Sequence, residues 1–160
     1  MSLSLLAITG SLLMFDCEMA SAETTKTTPA ATQNTVQLQD FDKGFFGFSF
    51  KEGKPVVSQG GISKNVDFVV DFPHGIASNN SKVAKSFKGQ GGVFDITSLD
   101  VKSIKDLPKG DPKLTIALKD IQAGNQYLFL CADGKSYGKI KITEVNMDKK
   151  WIKFSWVKIQ

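Results

Sequence analysis

The stretch "YLFLCADGKSYGKIKITEV", Tyr127 to Val145, reads as two strands joined by a tight turn, and it decides the fold class. Tyr127, Phe129 and Cys131 alternate with Leu128, Leu130 and Ala132, so both faces of the first strand are apolar. That is the pattern of a strand covered on both sides. Asp133-Gly134 suits a turn with positive φ, and Lys135-Ser136 are polar enough to stay in water. The next strand alternates cleanly, with Gly138, Ile140 and Ile142 on one face and Lys139, Lys141 and Thr143 on the other. After the turn "NMDKK", 146–150, a third strand from Trp151 to Ile159 sets Ile152, Phe154 and Trp156 against Lys153 and Ser155. The expectation is a three-stranded meander whose lysines keep its open face soluble.

Upstream of this meander, turn signals recur at intervals typical of β-structure. The segment "VQLQDFDKGFFGFSFKEGKPVV", 36–57, alternates around Phe46, Phe48 and Phe50 and turns at Glu52-Gly53. The run Phe45, Phe46, Phe48, Phe50 is the heavy core face of a strand or the lining of a ligand pocket. A further strand, "VDFVVDF" at 66–72, is stopped by Pro73. "GGVFDI" and "LTIALKDI" add two short apolar runs, and the glycines of "QGGV" allow a bulge or close backbone approach. The best helical candidate, "NSKVAKSFK" at 80–88, is short and polar. The sequence therefore predicts a single all-β domain over 36–160, mostly antiparallel and sandwich-like, with long loops and at most one or two short helices.

The first residues read differently. "LSLLAITGSLLMF" is too short to span a bilayer, and "ASA" at 20–22 supplies a small-residue cleavage site. Residues 1–22 are thus expected to be a secretory signal cut before Glu23. No Lys or Arg precedes the apolar run, which leaves room for further residues upstream. A lipid anchor on Cys17 is the rival reading, although "LMFD" before it lacks the expected small residue. Residues 23–35, "ETTKTTPAATQNT", are a flexible Thr/Ala-rich linker. The expected location is periplasmic, cell-surface or extracellular, with no transmembrane span.

Cysteine and charge set exclusions. Beyond the signal only Cys131 remains, so no intramolecular disulfide forms and the core alone must hold the domain. Cys131 lies mid-strand and reads as a small buried residue; as a nucleophile its only histidine base would be His74. The net charge is +4, and every one of the 20 basic residues is lysine. Phosphate and guanine recognition relies on the arginine fork, and no lysine cluster is longer than Lys149-Lys150, so nucleic acid is excluded as a partner. Gly89-Gln90-Gly91-Gly92 lacks the lysine and setting of a phosphate loop.

Three segments, "NVDFVVDFPHGIASNN", "GQGGVFDITSLDVKSIKDLPKGD" and "ADGKSYGKIKITEV", resemble in this order the HmuY-like family of exported haem-binding proteins. The resemblance runs from about Phe45 to Trp156. It implies a twisted two-sheet β-fold with Tyr137 as a packing residue, and haem held between loops by two axial side chains. Several family members are lipoproteins that scavenge haem for an outer-membrane receptor. His74 is the chain's one histidine, and Met147 the one methionine beyond the signal. The family's best-known pattern uses two histidines, and His74 aligns with neither position; because haem iron accepts either side chain, His74 and Met147 are the candidate cofactor-binding residues. Read without the resemblance, His74 is a loop histidine at a strand end.

The leading expectation is a non-enzymatic exported β-domain that binds haem or another small apolar ligand, or an envelope or outer-membrane protein. The alternative is a structural or adhesive envelope protein with no small-molecule site. A carboxylate hydrolase built on Asp67, Asp71 and Asp95 is the enzymatic option. No Ser/His/Asp spacing or His/Glu metal cluster accompanies those residues.

Overall fold

The computed structural model describes residues 34–40, 45–57, 65–72, 74–81 and 90–160. The signal, nearly all of the linker, Pro73 and most of the helical candidate at 80–88 lie outside the described residues, as do the side chains of Phe45 and Phe46. The described residues form two five-stranded antiparallel sheets. Its strands are β1 (Asn34–Gln39), β2 (Phe45–Ser49), β3 (Lys54–Val57), β4 (Phe68–Asp71) and β5 (Gly75–Ser78), followed by β6 (Gly92–Asp95), β7 (Thr115–Ile116), β8 (Gln126–Leu130), β9 (Tyr137–Asn146) and β10 (Trp151–Ile159). One sheet runs β1-β10-β9-β8-β6, the other β3-β2-β4-β5-β7. The expected all-β, antiparallel architecture is what the chain adopts. β1 begins at Asn34, two residues before the boundary read from the sequence.

The meander is where the sequence placed it. Tyr127 and Phe129 point into the main core, while Leu128 packs on the other side with Ile96, Val101 and Ile159. The loop carrying Ile96 and Val101 therefore covers the outer face of β8, which is why that strand could be apolar on both sides. Tyr137 packs against the same outer cluster. Lys139, expected to face water, instead donates from Nζ to the Val101 carbonyl at 2.8 Å and ties that loop down. Ser155, placed by alternation on the open face, is buried. It is a short side chain between cross-strand neighbours Thr35 and Lys141. Between Lys153 and Phe154 the register slips by one residue, which leaves Thr143 of β9 without a partner.

The core lies between the sheets. Leu38, Tyr127, Phe129, Ile140, Ile142, Ile152 and Phe154 of the first sheet meet Phe48, Phe68, Val70, Ile76 and Ile116 of the second. Aromatic rings dominate the contact: Phe68 stacks on Phe129 with centroids 4.4 Å apart, and Phe48 meets Phe154 edge-on at 5.3 Å. Gly138 is a packing requirement, because a Cβ there would collide with the ring of Phe50. Phe48 and Phe50 are thus core residues, as a strand with a heavy inner face demands. Leaving a phenylalanine here as alanine would cost about 3–5 kcal/mol.

At one side the two sheets are sewn together. Val93 and Lys113 exchange both backbone hydrogen bonds at 2.8 Å, and Lys113 leads directly into β7. Buried Asn79 adds a second stitch, donating to the Val66 carbonyl at 3.0 Å and accepting from Gly91 N at 2.9 Å. A Cβ at Gly91 would sit 2.5 Å from the Asn79 amide oxygen, so "QGGV" does provide close backbone approach. Two three-residue 3-10 turns, Ile104–Asp106 and Leu118–Asp120, are the helical content of the described loops.

Candidate functional site

His74 sits in the turn between β4 and β5, and Met147 in the turn between β9 and β10. These turns are far apart in sequence, yet the two side chains line one open groove of about 450 Å³ with Ala117, Leu118 and Lys119. A neighbouring hollow of about 370 Å³ shares Leu118 and Met147 and adds Phe72 and Lys150. The combined surface has an apolar floor, one imidazole, one thioether and two lysines.

The residues that bring these turns together are identifiable. Asp40, at the end of β1, is buried; it accepts from Phe72 N at 2.7 Å and donates its own N–H to the Lys150 carbonyl at 2.8 Å. One aspartate thereby ties the exit of β4 to the β9–β10 turn. Lys150 Nζ lies 3.6 Å from the same carboxylate. From the other side, Gly75 starts β5 at φ +111°, and a Cβ there would sit 2.7 Å from Leu118 N. Only glycine lets β5 run this close to the Leu118 turn. Leu118 is consequently wedged between the two turns, forming the floor that His74 and Met147 share.

The imidazole is oriented by a neighbour. His74 Nδ1 lies 2.9 Å from Asp71 Oδ2. A carboxylate can only accept, so Nδ1 carries a proton and donates; in the neutral ring the lone pair is then on Nε2. Among the described residues Nε2 has no partner. A carboxylate behind an imidazole is the arrangement that fixes tautomer and raises basicity in metal-ligating histidines. Met147 is about half exposed, at 46 %, an unusual position for a methionine that serves only packing.

The described residues contain no group of three or more His, Cys, Asp or Glu able to hold a metal ion. His74 and Met147 supply two donors at most, which fits a metal arriving with its own equatorial ligands and not a bare ion. Lys119 makes no ion pair among the described residues, and it would meet an anionic group on such a ligand. The two donor types are ones that haem iron accepts. Sequence reading had named both donors but not their juxtaposition, and it missed Asp40, Leu118 and Lys119 altogether.

The other candidates are engaged separately. Asp95 Oδ1 accepts from Thr97 N at 3.0 Å, and Asp67 accepts two backbone N–H groups. Cys131 is buried, and burial followed by the nearby Asp67 charge pushes its thiol well above the ordinary cysteine range. That opposes thiolate formation, and His74 lines a different concavity. No helix among the described residues is long and apolar enough to cross a membrane.

No protein-family model matches the chain, and no curated protein matches it. The site is therefore read from its own chemistry.

Proposed function

We propose that this is a non-enzymatic, exported β-domain that binds a flat apolar ligand with acidic substituents at the cell envelope, haem being the ligand the groove suits best. One observation carries the reading: His74, with Nε2 uncommitted and Nδ1 held by Asp71, shares an apolar groove with the exposed thioether of Met147. In this reading Nε2 of His74 is the principal iron ligand and Met147 the second. Leu118 and Phe72 contact the macrocycle, and Lys119 and Lys150 meet its carboxylates. The resemblance to HmuY-like proteins supports the same ligand, and the signal-like start supports the export.

Haem titrated into the purified protein should give a shifted Soret band that saturates near one equivalent. His74→Ala should abolish the shifted band, while Met147→Leu should keep binding but alter the band. A weak, unsaturable signal that is identical in His74→Ala would overturn the proposal.

A further inference from the structure

A second concavity lies at the opposite end of β4, away from the His74 turn. It has a volume of about 200 Å³ and is lined in part by Phe50, Lys51, Asp67, Asp133, Tyr137 and Lys158. Liquid water occupies about 30 Å³ per molecule, so this is room for roughly seven water-sized units, a molecule of about ten heavy atoms.

The wall of this cavity is charged in an ordered way. Asp67 is 3 % exposed. Its two oxygens accept from Phe50 N at 2.7 Å and Ala132 N at 2.8 Å, one bond to each oxygen. The Cys131 thiol is a third partner; an ionised carboxylate has about four acceptor positions, so one remains. Among the described residues Asp67 has no ion-pair partner. The Asp133 carboxylate adds to the effect of burial in pushing the Asp67 carboxyl above its usual range. A buried carboxylate without an ion pair is costly, and a positive group seated against it would lower that cost.

The same lining carries the opposite charge as well. Lys158 Nζ lies 3.3 Å from the Lys51 carbonyl, and neither lysine has a carboxylate partner among the described residues. Phe50 and Tyr137 add aromatic wall to the same lining. A ligand complementary to this lining has a cationic end, an anionic end and a short apolar body.

We infer that this cavity binds a small zwitterion, an α-amino acid with an aliphatic side chain, its ammonium against Asp67 and Asp133 and its carboxylate against Lys51 and Lys158. The Asp67 pair of backbone bonds holds the inner carboxylate rigid, which lowers the ordering cost of binding. This site is independent of the haem groove, and either can fail without the other.

The test uses three probes of one shape on the full chain: L-leucine, 3-methylbutylamine, which lacks the carboxylate, and 4-methylpentanoate, which lacks the ammonium. Calorimetry should show saturable binding of leucine at one site, with each truncated probe at least about tenfold weaker, the loss of one charged contact. Backbone amide shifts of Ala132 and Phe50 should move with leucine. Lys158→Met, on the exposed end of β10, should weaken leucine about tenfold and leave 3-methylbutylamine unchanged. Asp67→Asn should abolish binding of both. Absence of saturable leucine binding, equal affinity for leucine and the amine, or a Lys158→Met protein that binds leucine normally would each overturn the assignment.

Discussion

The two ends of β4 are held by buried aspartates, and the two are served differently. At the exit, Asp40 reaches from the first sheet to accept the Phe72 N–H of the second, and the Lys150 ammonium lies 3.6 Å from its carboxylate. At the entrance, Asp67 reaches from the second sheet to accept Ala132 N of the first, and also takes Phe50 N. Both span the sandwich, and both are almost inaccessible to water. Among the described residues only Asp40 has a cation of its own. Asp67 is served by two backbone N–H groups and the Cys131 thiol, and burial raises its pKa. The contrast teaches that buried acids here serve as cross-sheet clasps, and that a clasp lacking a counter-charge leaves an electrostatic vacancy beside a cavity.

The strongest test of the contrast is Asp67→Ala. It strands the buried Phe50 N–H and the part-buried Ala132 N–H, at up to about 1–3 kcal/mol each, less whatever the ionised acid paid for its own burial. A loss of about 2–4 kcal/mol in urea unfolding is expected. Asp40→Ala strands one such group, so about 1–3 kcal/mol should go, with Lys150→Met alone costing under about 1 kcal/mol. Should Asp40→Ala prove the more damaging, the ion pair would outweigh the second backbone bond and the ranking would be broken.

The smallest effect is the most diagnostic, and it concerns pH. The folded state holds the Asp67 proton more tightly than the unfolded chain, whose aspartate titrates near 3.8. The proton-linked stability is therefore complete below that value and is lost as pH rises through the raised one. Unfolding midpoints of the native chain and of Asp67→Ala, compared between about pH 4 and pH 8, should lie further apart at the acidic end. A gap that widens with rising pH would reverse the sign and remove the uncompensated charge from the account.

Much of the fold was legible because its signals are local. Period-two alternation in β9 and β10, the Asp133-Gly134 turn and the doubly apolar face pattern of β8 each depend on a few neighbouring residues. The places where alternation misled, Lys139 and Ser155, are those where another segment crosses the strand or flanks it. The site was half legible. His74 and Met147 could be named because histidine and methionine are scarce in this chain, but their meeting depends on Asp40, Gly75 and Leu118, whose partners lie tens of residues away. Asp67 was visible as an acid in an apolar run. Its role was not, since a backbone N–H from Ala132 leaves no trace in the sequence around Asp67.

The Val93–Lys113 bridge has a topological result. Hydrogen bonding passes from β6 through Lys113 and β7 into β5, so the described strands form one continuous ribbon that begins at β1 and ends at β3. Such a ribbon has two edges where separate sheets would have four. β3 contains Pro55, which has no N–H to offer a visiting strand. β1 lies beside β2 and β3, so among the described residues the two edges adjoin one another at one seam and leave little room there for an added strand.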